Sequence, residues 1–75
     1  MPQQDTREQT RAALLRSLMR KLEADPYPSS TMMDMVEELL TPEDVEPYVK
    51  LLLERIDNDN FPSISMLGRV QSFAS

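Results

Sequence analysis

Asp25-Pro26-Tyr27-Pro28-Ser29-Ser30-Thr31-Met32-Met33-Asp34-Met35-Val36 returns, with changes, as Asp59-Asn60-Phe61-Pro62-Ser63-Ile64-Ser65-Met66-Leu67-Gly68-Arg69-Val70. The offset is 59 − 25 = 34 residues. Asp, Pro, Ser, Met and Val recur identically, and Tyr27/Phe61, Thr31/Ser65 and Met33/Leu67 are conservative pairs. Upstream, Leu15, Leu18, Met19 and Leu22 fall 34 residues before Val49, Leu52, Leu53 and Ile56. Agreement in the turn and in the helical pattern before it points to a duplicated unit.

Each unit reads as a long helix, a turn and a shorter helix. Leu15, Leu18, Met19 and Leu22 follow the i, i+3, i+4, i+7 rule of one helix face. Asp5 or Thr6 is placed to cap that helix, with Glu8 reaching back as a capping box. Pro26 and Pro28 end it, since a proline ring removes a donor and forces extended geometry on the residue before it. Ser29 is suited to cap the next helix, whose apolar face is Met32, Met33, Val36, Leu39 and Leu40. Thr41-Pro42-Glu43-Asp44 is a second start signal, a threonine cap followed by proline and acids. Pro47 complicates it: either one turn forms at 42–45 and the main helix begins near Pro47, or the helix is kinked there. Phe61-Pro62-Ser63 repeats the turn, and Met66, Leu67, Val70 and Phe73 make the last face. Tyr27 and Phe61 are expected to plug the open end of each hairpin.

The spacing predicts helices near residues 6–24, 30–40, 46–57 and 63–73. The fold expected is all-α, a compact four-helix bundle of two tandem αα-hairpin repeats, about 6–40 and 41–74, within a single helical domain spanning 1–75. A period of 34 invites comparison with tetratricopeptide repeats. That comparison fails on content: the small residues at the tight helix contacts are missing, the two helices differ in length, and a solenoid needs roughly three units.

Seventy-five residues form one small domain, with neither cysteine nor histidine. Disulfide staples and the common zinc and iron ligand sets are thereby excluded, and no metal or cofactor is expected. The missing cysteine fits a cytoplasmic protein. No apolar run approaches the ~20 residues of a membrane span. The polar N-terminus is unlike a signal peptide, and Met1 with its polar lead-in reads as the start of a complete small protein. The net charge is −5, which makes free nucleic acid a poor partner. Residues 1–24 carry five bases against three acids, whereas residues 25–48 carry seven acids and no base. Asp34, Glu37, Glu38, Glu43, Asp44 and Glu46 form the candidate acidic patch, read as a solvated face or as a docking surface for a basic partner.

No catalytic constellation is assembled. Without His or Cys the usual nucleophile–base pairs are missing, and nothing in the sequence sets Lys21 or Lys50 beside Ser29 or Ser63. Asp57-Asn58-Asp59-Asn60 begins like a calcium loop, but Phe61, Pro62 and Gly68 occupy its fifth, sixth and twelfth positions. The chain therefore reads as a small non-enzymatic protein-binding module, a regulator or adaptor, with self-association one form of it. Its partner-binding candidates are Leu51, Tyr48 and Met35. Leu51 lies off the helix stripe and its counterpart is Ser17; Met35 flanks its own stripe and its counterpart is Arg69.

Two other classes compete. Ser29-Ser30-Thr31-Met32-Met33-Asp34 resembles the place where acyl carrier proteins hold Gly-x-Asp-Ser-Leu, which would imply a carrier modified on Ser29 or Ser30. The Gly and Asp before the serine and the long first loop of that family are missing here. A helix-turn-helix nucleic-acid binder would use Arg16, Arg20, Lys21 and Arg69, against the overall acidity.

Overall fold

The computed structural model describes the backbone of residues 3–75 and the side chains of residues 6–75. Those residues form four α-helices and no strand: α1 (Gln3–Ala24), α2 (Ser30–Leu39), α3 (Pro42–Asn58) and α4 (Ile64–Ala74). They divide into two compact units, the first ending at Leu40 and the second beginning at Thr41. In the first unit α1 packs on α2, and in the second α3 packs on α4. Among the described residues no helix is long and apolar enough to cross a membrane.

In the first unit Leu15, Leu18 and Leu22 of α1, with Met33 and Val36 of α2, are buried. Each such side chain contributes about 1.5–3 kcal/mol by leaving water. The helix does not start at Asp5 or Thr6, as the capping pattern predicts; it already includes both. Glu8 does not reach back to a cap. Its carboxylate is engaged forward by Arg11, three residues on, in a pair that favours continued helix.

The two turns close with the same hydrogen bonds. Asp25 Oδ1 accepts the Tyr27 N–H at 2.8 Å, and Asp59 Oδ1 accepts the Phe61 N–H at 2.9 Å. Ser29 Oγ accepts the Met32 N–H at 3.1 Å, and Ser63 Oγ accepts the Met66 N–H at 3.0 Å. Each serine thus satisfies one of the orphan donors at a helix start, as expected from its position after proline.

Helix α3 runs unbroken from Pro42, earlier than the expected start near 46. Thr41 and Asp44 explain it. Asp44 Oδ2 accepts the Thr41 N–H at 3.1 Å and the Thr41 hydroxyl at 2.6 Å, fixing the first turn. Pro47 is inside the helix and exposed, and having no N–H it cannot give the Glu43 carbonyl its usual helix hydrogen bond.

The buried line of α3 is Tyr48 and Leu52, with Val49 and Ile56 half-buried and Leu53 43% exposed. The expected stripe was Val49, Leu52, Leu53 and Ile56. Tyr48 carries the largest apolar surface of the set, and burying it turns the helix so that Leu53 faces outward. The Tyr48 ring is 0% exposed and lies against Phe73.

Candidate functional site

The turned face of α3 creates an opening in the second unit. Val45, Val49 and Leu53 recur every four residues and so share one side of the helix. With Pro42 and with Val70, Phe73 and Ala74 of α4 they line an apolar groove of about 640 Å³. Leu53 and Phe73, 43% and 37% exposed, stand at its edge. Glu46 and Lys50 are the charged residues of its lining. A groove with so few polar groups offers little to orient a small polar ligand; it matches apolar side chains.

The first unit differs at the corresponding place. The residue 34 positions before Val45 is Arg11. Its Nη1 donates to the Leu39 carbonyl at the end of α2 at 2.9 Å, while Nη2 donates to Glu8 Oε2 at 2.9 Å. Helix α2 has no basic residue in its own last turn. Arg11 therefore supplies, from the neighbouring helix, the positive charge and the donor that a helix C-terminus favours. The hydrogen bond and charge of Arg11 hold the Glu8 carboxyl below the ordinary glutamate range. Arg11 stands four residues before Leu15 and seven before Leu18, in line with the buried stripe of α1, which is why its charge needs such partners.

The turn aromatics do not plug the hairpins. Tyr27 is 81% and Phe61 89% exposed. In each turn the preceding Asp holds the aromatic residue's own N–H, and proline follows directly. That arrangement fixes the backbone with the ring outside. Ile64, three residues after Phe61 and the first residue of α4, is 82% exposed. Its counterpart in the first unit is Ser30.

Of the three partner-binding candidates read from sequence, Met35 falls in the first unit and Tyr48 and Leu51 in the second. Tyr48 is fully buried and cannot present a surface, because its ring is the apolar centre of the α3–α4 contact. Leu51 is half-buried and lies outside the groove lining. Met35 is 43% exposed on the first unit. Asp34, Glu37 and Glu38 fall in the first unit, and Glu43, Asp44 and Glu46 in the second. Asp44 is a capping residue, and Glu46 lines the groove. No cluster of His, Cys, Asp or Glu suited to a metal occurs among the described residues.

Sequence reasoning missed the groove because it assigned Val49 and Leu53 to the core. The signal was present in the sequence alignment at the 34-residue offset, which sets apolar Val45 against charged Arg11. Comparison with family models, curated proteins and solved structures finds no match.

Proposed function

We propose that the chain is a small non-enzymatic protein-binding module built from two tandem copies of one helical hairpin, and that the second copy carries the binding surface. The observation behind this reading is the apolar groove of about 640 Å³ between α3 and α4, edged by exposed Leu53 and Phe73. An open apolar groove between two helices suits the apolar face of a partner helix, or bulky side chains presented by a partner. The absence of Cys and His supports a binding role over a catalytic one. The use of Ser29 and Ser63 alike as caps favours it over a carrier role. The tandem-copy reading is supported by the matched turn hydrogen bonds at the same offset.

The test is quantitative affinity capture from native extract with wild type, Leu53→Asp and, as a control on the first unit, Glu38→Ala. Binding lost in Leu53→Asp, kept in Glu38→Ala, with unchanged helical circular dichroism, supports the groove as the binding surface. Partners held equally by all three place the binding elsewhere, and no partner above background in wild type overturns the reading.

A further inference from the structure

The two short helices hold equivalent places in their units but are anchored unequally. Helix α2 sinks Met33 and Val36 completely, and both its ends are tied. Ser29 caps the start, and Arg11 of α1 donates to the Leu39 carbonyl at the finish. Helix α4 keeps the serine cap but not the second tie, since Val45 stands at the position of Arg11 and has no group to donate. Nor does α4 carry a basic residue in its last turn. Among the described residues α4 has one buried side chain, Met66; Val70 is half-buried, and Ile64, Leu67 and Phe73 are exposed. Packing is what holds a helix of 11 residues in water, so α4 is held more weakly than α2.

Gly68 adds to this. It lies in the middle of α4, its φ is negative, and a Cβ at this position would meet no neighbouring side chain within 4 Å. Neither a turn nor a close approach requires glycine here, and glycine inside a helix costs stability relative to alanine. The counterpart in α2 is Asp34, which has a side chain in the same place.

We propose that α4 is a detachable flap: it leaves α3 and unfolds locally while α1 and α2 stay packed, in an opening that costs less than global unfolding. Met66 and the contact of Phe73 with Tyr48 hold the flap closed, and opening bares Tyr48. The apolar groove has α3 for one wall and Val70, Phe73 and Ala74 of α4 for the other, so it exists in the closed form alone. The consequence for binding rests on the protein-binding reading: whatever fills the groove holds the flap shut, and binding is coupled to the ordering of α4.

Native-state amide hydrogen exchange of the full, free chain by NMR tests this. Residues 34–38 and 68–72 occupy the same places in α2 and α4, so ordinary fraying of helix ends affects them alike. In wild type the amides of 68–72 are expected to be about tenfold or more less protected than those of 34–38, and less sensitive to added urea because a local opening exposes less surface. Gly68→Ala should raise the protection of 69–72 by about two- to fivefold and leave α1 and α2 unchanged. Equal protection in the two matched stretches overturns the proposal. So does a Gly68→Ala variant that slows exchange alike in all four helices, which would mean that α4 opens through global unfolding, or one that leaves α4 unchanged. No partner enters this measurement, so its failure leaves the binding module standing. Partners held equally by wild type and Leu53→Asp overturn the groove as binding surface and leave the flap standing.

Discussion

The rings of Tyr48 and Phe73 meet edge to face, with centroids 5.9 Å apart and planes at 76°, and so join the start of α3 to the end of α4. This contact sets the rotation of α3 and thereby opens the groove beside it. Phe73 is at once a core neighbour of Tyr48 and a groove residue.

Replacing Phe73 with leucine keeps an apolar side chain but removes the ring pair. The expected cost is about 0.5–1.5 kcal/mol in urea unfolding followed by circular dichroism. Tyr48→Ala removes the fully buried ring and should cost about 3–5 kcal/mol. A Phe73→Leu variant as stable as wild type would mean that the pair carries no share of its own.

Arg11→Ala removes the donor to the Leu39 carbonyl and should destabilise by roughly 1 kcal/mol, the usual net value of such a bond. The same variant frees Glu8. In wild type the Glu8 carboxyl should titrate below the ordinary glutamate range by NMR, and Arg11→Ala should return it upward. The folded-state value is depressed. Any stability from this pair is therefore present above the unfolded glutamate value and lost as pH falls through the folded one. Glu8 is exposed, so added salt should shrink the shift.

Ser29→Ala and Ser63→Ala each delete one cap hydrogen bond at equivalent turns. Each should cost about 1 kcal/mol. The double variant should lose close to the sum, because the two caps share no partner. A sum far exceeded would reveal coupling between the two turns.

Tyr27→Ser and Phe61→Ser distinguish a plug from a projection. With both rings outside, monomer stability should change by no more than about 0.5 kcal/mol, the usual range for surface sites. The readout is the unfolding midpoint at concentrations where the chain is monomeric. A large loss in either would return that ring to the core.

The four helices were legible because capping, proline and periodicity all act locally. Ser29, Ser63 and Thr41 mark starts by chemistry that needs no knowledge of the neighbouring helix. The groove was less legible because it depends on which residue wins the interior. By spacing alone Val49 and Leu53 belong to the stripe as well as Tyr48 does, and the deciding quantity is the area each ring or branch removes from water. Tyr27 and Phe61 were misplaced for the same reason. Apolar character says that a residue gains by burial, whereas the Asp hydrogen bond and the adjacent proline decide whether the backbone permits it. Arg11 follows the opposite logic: a charge in line with an apolar stripe demands a partner, and the Leu39 carbonyl and Glu8 supply it.

Pairing α1 with α2 and α3 with α4 also has a kinetic meaning. Each helix packs on its neighbour in sequence across a five-residue connection, 25–29 in one case and 59–63 in the other. Short closures cost little chain entropy, and helical proteins rich in such local contacts fold in microseconds to milliseconds. Stopped-flow mixing should therefore miss most of the refolding amplitude, and temperature-jump relaxation should capture it.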